Sequence, residues 1–292
     1  MHEGLVARMR LEADLRRALV EEQFVVHYQP MISMRSGEMT GVEALVRWQH
    51  PERGLVPPND FIPLAEATGL IRSLGLWVLQ ESCRQAMAWQ AAGLTDGDLR
   101  LSVNVSARQL QQDSFVQQVV SVLDETGMPG TQLTLEMTES VLLEEGDSTL
   151  ATLQALRRLG IRLAIDDFGT GYSSLSYLHN FPVDILKIDR SFVERLLTGG
   201  DGGLVGTILR LGRTMNLETV AEGVEDPQEL LLLRRQGCTT GQGYHFSPPV
   251  PADAIQGLLE DRSAGESTPV PAPRRRPGVV DVNAATGRRA DA

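Results

Sequence analysis

The stretch FVVHYQPMISMRSGEMTGVEALVRW, Phe24 to Trp48, decides the fold. It opens with a β-rich run, Phe24–Pro30, and closes with another, Gly41–Trp48. Between them lies MISMRSGEMT, with no helical pattern. Strands joined by so short a link must pair antiparallel, because a parallel pair needs a crossover of about a dozen residues or more. The rest of the chain follows a different rule. Further β-rich runs fall at Leu101–Ser106, Gln132–Met137, Ile161–Asp166, Asp184–Ile188, Glu218–Ala221 and, more weakly, Gly243–Phe246. Helical patterns separate most of them, at Leu70–Ala92, Phe115–Thr126, Ser148–Leu159, Leu204–Met215 and Pro227–Gln236. Asp60 and Asp226 read as N-caps, the latter with proline at the first helical position. Gly160 and Gly237 read as helix stops. Strands alternating with helices predict a mostly parallel sheet. A set of eight such strands in about 250 residues is the size of a (β/α)8 barrel. The expected fold is therefore α/β, a modified (β/α)8 TIM barrel with an antiparallel first strand.

Composition sets the outer limits. The 292 residues are 42% hydrophobic and 22% charged, ample for a packed core. Apolar runs such as Leu74 to Leu79 are far shorter than the roughly 20 residues that span a bilayer. Met1 to Leu19 has no signal-peptide apolar stretch and reads as a charged, linker-like helix, with Leu5, Met9, Leu11, Leu15 and Leu19 at near-helical spacing. Cys83 and Cys238 make no disulfide framework, which fits a cytoplasmic location. The formal net charge of −11 argues against a broad nucleic-acid surface, so no DNA or RNA partner is expected. Residues 20–262 are read as the barrel. Residues 263–292, rich in Pro and Arg and without apolar period, are expected to be disordered.

The polar residues inside the strands carry the chemistry. Side chains alternate faces along a strand. Glu43, Asn104, Glu136, Asp166, Lys187 and Glu222 then come from six strands, share the inward face, and mostly lie near C-terminal ends. That rim is where barrel enzymes hold their sites. So many carboxylates at one mouth repel one another without a counter-charge. Oxygen donors with one amide suit Mg²⁺ or Mn²⁺. The adjacent acids Asp166 and Asp167 point to a pair of metals, the arrangement that clamps an in-line displacement at phosphorus. Lys187 is the sole lysine in a chain whose other basic residues are arginines. A compact ammonium kept where arginine is the rule marks a place that a planar fork cannot fill. His27 and His50 lack a metal-ligand spacing and read as structural or surface residues.

With those residues placed, a resemblance becomes plain. EALVRW (Glu43–Trp48), NVS (Asn104–Ser106), LEMTES (Leu135–Ser140), DDFGTGYSS (Asp166–Ser174), KIDRSF (Lys187–Phe192), AEGVE (Ala221–Glu225) and GQGYHFS (Gly241–Ser247) resemble the motifs of the EAL-domain family of bacterial cyclic di-GMP phosphodiesterases. VVHYQP (Val25–Pro30) and FIPLAEATGLI (Phe61–Ile71) match as well, so the resemblance runs from about residue 10 to 262. It implies a two-metal enzyme that cuts cyclic di-GMP to linear 5′-pGpG. Glu43, Asn104, Glu136, Asp166 and Asp167 are implied metal ligands, with Asp166 bridging. Lys187 is implied beside the attacking water, and Glu222 near the second metal as general base. The resemblance leaves open whether Glu222 or the metals activate the water. Glu139 is implied to anchor the loop after Asp167. Gln29, Arg47, Asp189, Glu225 and Gln242 are implied to line the ligand or support the metals. A homodimer is implied, and an upstream sensory domain is common in the family. His245 and Pro248 depart from the usual Leu and Arg or Lys, and Ala67 stands where Glu is common. A receptor that binds without cleaving and a pure interaction module are the alternatives; the complete ligand set favours catalysis.

Overall fold

The computed structural model describes residues 2–143, 147–170, 178, 180–197 and 202–263. Its strands are β1 (Phe24–Ser33), β2 (Met39–His50), β3 (Gly54–Val56), β4 (Arg100–Asn104), β5 (Leu133–Thr138), β6 (Arg162–Phe168), β7 (Ile185–Ile188), β8 (Glu218–Ala221) and β9 (Thr240–Gly241). They run in the order β1-β9-β8-β7-β6-β5-β4-β2, and β2 returns to β1, which closes an eight-stranded barrel. β1 is antiparallel to both neighbours, and the other ring pairings are parallel. The reversed first strand expected from MISMRSGEMT is therefore present. β3 lies outside the ring as a short hairpin extension of β2.

Three details correct the sequence reading. The last strand is Thr240–Gly241, not Gly243–Phe246. After Gln242 the chain turns, with Phe246 N and Ser247 N both bonded to Gly243 O, so Phe246 is buried from a turn and not from a strand. Asp60 is not an N-cap. Pro57 holds that position and Pro58 starts the helix, which leaves Asp60 inside the first turn. β3 has too few residues to show a period. The disorder expected of the tail beyond Ser263, and Gly171 to Ser174 of the DDFGTGYSS motif, lie outside the described residues.

Helices α1 (His2–Val20), α2 (Pro58–Thr68), α3 (Ile71–Ala91), α4 (Ala107–Leu110) and α5 (Phe115–Thr126) are the first five around the ring. α5 buries Phe115, Val119 and Val122, one face at helical spacing, and stops at Gly127, whose φ is +72°. Helix Pro227–Gln236 starts on Asp226, whose carboxylate accepts from Gln228 N at 2.7 Å, and ends at Gly237 with φ +81°. At the base, Glu218 of β8 accepts from Arg100 of β4 and Arg162 of β6, each at 3.0 Å. At the opposite end, Trp48 packs on Phe24 and Phe61 with ring centroids 5.9 and 5.8 Å apart. α1 buries Leu15 and Ala18 in the same core and packs against α2. Asp14 of α1 faces His50 Nε2 at 3.5 Å, while His50 Nδ1 accepts from the amides of Glu52 and Arg53.

Candidate functional site

The parallel strands end at one mouth, above which a cleft of about 1090 Å³ opens. Register places its polar groups: Asn104 pairs with Glu136 across β4 and β5, and Thr138 with Asp166 across β5 and β6. Gln29, Glu43, Asn104, Glu136, Asp166, Asp167, Glu222 and Gln242 all line the cleft. Lys187 lies beneath them, 1% exposed, and this burial makes it the organising charge. Its Nζ is 3.4 Å from Glu43 Oε2, 3.1 Å from Asp166 Oδ1 and 2.6 Å from Glu222 Oε1, and it also pairs with Glu136.

Second partners fix the carboxylates. Glu43 accepts from Asn104 Nδ2 at 2.7 Å and from Gln242 Nε2 at 2.6 Å. Gln242 Nε2 also donates to Gln29 Oε1 at 2.9 Å, and Gln29 Nε2 to Ser247 O at 3.0 Å. This chain of amides ties β1, β2 and the segment after β9 into one network. Burial pushes Glu43 up, but Lys187 and the donors Gln242 and Asn104 reverse this and hold its carboxyl below the usual range. Glu136 receives less help: burial, with Glu43 and Asp166 nearby, raises it to about 8 against the opposing pull of Lys187. Glu222 is raised by the same burial and by Asp166 and Glu43. Burial works against the charge on Lys187, yet its four carboxylates lift it well above the ordinary value. In the metal-free protein one firm cation thus faces several carboxyls, of which Glu136 and Glu222 tend to keep protons.

Asp166 and Asp167 are consecutive, and a regular strand would aim them apart. A register irregularity between Ile165 and Phe168, with Asp167 at φ +54°, breaks the alternation. Oxygens of Asp166, Asp167 and Glu222 consequently come within 4.8 Å of one another, close enough for one ion to touch all three. An all-oxygen set is the chemistry of a hard divalent cation, so these residues fit one. Burial, then Asp166 and Asp189, raise Asp167 to about 6. Glu139, buried after β5, accepts from Gly169 N at 3.0 Å, two residues beyond Asp167.

Three of the residues expected to line the ligand or support the metals, Arg47, Asp189 and Glu225, are not among those lining the cleft. Arg47 is half-buried and donates to Val46 O at 2.8 Å. Asp189 caps helix Arg190–Val193 by accepting from Ser191 N at 3.1 Å, and it hydrogen-bonds Asp167. Glu225 pairs with Arg190 at 2.9 Å. The cleft's cations are instead Arg72, Arg108 and Arg190. Arg72 and Arg108 sit on α3 and α4, where solvent-facing arginines carry no sequence signal of their own. Arg190 directly follows KID and was within reach of a motif reading. Tyr244, exposed at the rim, also lines the cleft.

An eight-stranded barrel with oxygen donors and one buried ammonium at its C-terminal mouth defines a class: (β/α)8 proteins equipped to hold divalent cations. The chain belongs to the EAL domain family, whose sequence profile matches residues 12–249. The bifunctional diguanylate cyclase/cyclic di-GMP phosphodiesterase MucR of Pseudomonas aeruginosa is 43% identical over 256 residues, covering 87% of this chain and 37% of MucR. The cyclic di-GMP phosphodiesterase NbdA of the same organism is 43% identical over 252 residues, 86% of this chain and 32% of NbdA. The chain thus spans about a third of the length of these curated relatives. Among solved structures, the PaMucR phosphodiesterase in complex with c-di-GMP superposes with a TM-score of 0.80 at 44% identity, covering 84% of this chain and 99% of that one. The EAL enzyme Bd1971, with cAMP and cyclic di-GMP bound, gives a TM-score of 0.84 at 33% identity, covering 88% and 70%.

Proposed function

We propose that this chain is a cyclic di-GMP phosphodiesterase that opens one phosphodiester of the ring to give linear 5′-pGpG. The observation that carries the reading is Lys187, buried among Glu43, Glu136, Asp166 and Glu222 beneath an open cleft. A buried ion cluster facing open space is a poor device for stability and a good one for chemistry. Relatives named as phosphodiesterases at 43% identity support it.

Glu43, Asn104, Glu136, Asp166 and Asp167 would hold two divalent cations, Mg²⁺ or Mn²⁺, with Glu222 close beside Asp166 and Asp167. Such ions supply a Lewis acid for the phosphoryl oxygens and a nucleophile at neutral pH. The chain does the rest. Arg72, Arg108 and Arg190 bring positive charge to a cleft that must accept a dianionic ring. Glu222 Oε takes the proton of the attacking water. Lys187 Nζ holds Glu43, Glu136, Asp166 and Glu222 in place from beneath and is the cation set beside the attacking water. Water oxygen bonds to phosphorus as the bond to the 3′ oxygen breaks; that oxygen takes a proton from solvent in the open cleft and leaves as a hydroxyl, Glu222 returns the water's proton to solvent, and the phosphate stays on the 5′ oxygen.

Two companion readings go with this one. The buried free thiols Cys83 and Cys238 fit a reducing cytoplasm. Exposed Leu197 and Leu204 offer apolar surface for a homodimer, which light scattering reads directly. Among the described residues no helix is long and apolar enough to cross a membrane. The deciding experiment is incubation of the protein with cyclic di-GMP and Mg²⁺ or Mn²⁺, followed by chromatography, beside Glu43→Ala. Metal-dependent pGpG from the parent alone supports the reading. Folded protein that binds the nucleotide in Ca²⁺ yet yields no product in Mg²⁺ or Mn²⁺ makes it a receptor instead.

A further inference from the structure

Strand ends supply the charged groups of the mouth, but helices α3 and α4 supply one wall of the cleft. Gly75 is buried in the interior of α3. Glycine weakens a helix interior relative to alanine, so its presence there has a cause. The cause is space. A Cβ at residue 75 would lie 2.2 Å from Gln109 Nε2 and 2.6 Å from Gln109 Oε1. Gln109, on α4, is itself buried. Its Oε1 accepts from Ser106 N at 3.1 Å and from Ser106 Oγ at 3.2 Å, while Gln109 N donates to Ser106 O at 3.0 Å. Ser106 is two residues beyond Asn104. Between them, Val105 N donates to Glu136 O at 2.8 Å. Asn104 Nδ2 in turn reaches Glu43 at 2.7 Å. Each residue from Asn104 to Ser106 is therefore tied, and Gln109 ties the last.

We propose that Gln109, seated in the space left by Gly75, is a positioning residue that holds the end of β4 so that the Asn104 carboxamide meets a metal ion. This rests on the reading of Asn104 as a ligand given above. Gln109 acts through Ser106 and the backbone, as an outer partner orients a ligand. Gly75 serves only by leaving room.

The test is calorimetric titration of the whole chain with Mn²⁺ alone, without nucleotide. Gln109→Met removes the acceptor at similar length. Gly75→Ala keeps the glutamine and displaces it. Each is expected to weaken Mn²⁺ binding about tenfold, the low end for loss of an outer partner. Gln109→Glu keeps an oxygen acceptor and is expected to bind at least as tightly as the parent. Val119→Ala, in the core under α5, is expected to lower the melting temperature and leave the Mn²⁺ constant in place, which separates loosening from positioning. Should Gln109→Met not fold, Gly75→Ala and Gly75→Ser decide. Parent-like Mn²⁺ binding in the Gly75 variants overturns the proposal. So does a parent that binds no Mn²⁺, which removes the metal reading with it. A parent that binds Mn²⁺ but cuts no cyclic di-GMP, with the variants weakened as stated, supports the proposal and removes only the assigned activity.

Discussion

Lys187 Nζ lies 2.6 Å from Glu222 Oε1, an ion pair between β7 and the residue that directly follows the adjacent strand β8. The same ammonium serves Glu43, Glu136 and Asp166, so one buried cation screens four carboxylates. Removing it strands those charges. Lys187→Met is expected to destabilise the metal-free protein by about 3–5 kcal/mol, the usual result of taking one partner from a buried ion cluster. Denaturant melts in EDTA measure this, and a midpoint equal to the parent's refutes it.

Lys187→Arg keeps the charge and changes its shape. A guanidinium is wider than an ammonium and cannot sit at the centre of four convergent oxygens. The displaced carboxylates should cost turnover about 100-fold, the scale of an ångström's misplacement at a reacting centre. Parent-like kcat in this variant sinks the argument from shape.

The bond from Gly169 N to Glu139 holds the segment that follows Asp167. Glu139→Ala leaves that amide without its acceptor. Cyclic di-GMP turnover should fall about 10- to 100-fold, as for other outer partners of metal ligands. Glu139→Gln, which retains an oxygen, should recover most of it. Equal loss in both variants removes the anchoring role.

How much of this was legible in the chain depends on the kind of contact. Glu43, Asn104, Glu136, Asp166 and Lys187 could be assembled from alternation alone, because each sits on a strand and strands have period two; Glu222, one residue past the end of β8, continues the same alternation. The reversed β1 could be read from one short link. Asp167 was harder: alternation aims it away, and only the irregular, left-handed backbone there turns it back. The last strand is not legible, because Thr240–Gly241 carries almost no β signal, whereas the aromatic residues just after it look strand-like from a turn. The seat of Gln109 against Gly75 joins two helices 34 positions apart, and no local pattern reports such a meeting.

The raised carboxyls give a pH signature. Asp167, raised to about 6, and Glu136, raised to about 8, bind protons more tightly folded than unfolded. Their contribution to metal-free stability is full below the unfolded carboxyl values and is lost as pH rises through about 6 and then about 8. A cation needs the same groups deprotonated and therefore takes over as the protons leave. The rise in melting temperature caused by Mg²⁺ should grow steadily from pH 5 to pH 8. A Mg²⁺ effect independent of pH over that window contradicts the assignment of these two ligands.

The thiols should be silent. Burial raises Cys83 to about 12 and, although its neighbours' hydrogen bonds oppose the shift, Cys238 to about 11. Almost no thiolate then exists at pH 8 to react. A disulfide reagent at that pH should modify neither until denaturant unfolds the chain, and prompt release of two equivalents from native protein contradicts the burial.

The reversal of β1 also decides where the chain comes in. Phe24 pairs with Trp48, so the first strand begins at the level of the mouth and not at the base. In an all-parallel barrel the segment before the first strand would dangle from the floor, a full strand length from the chemistry. Here α1 is moored beside the doorway: Asp14 leans on His50, and the helix rests on α2, whose Asn59, Ile62 and Glu66 are themselves part of the cleft wall. One strand laid backwards turns the far end of the molecule into its porch.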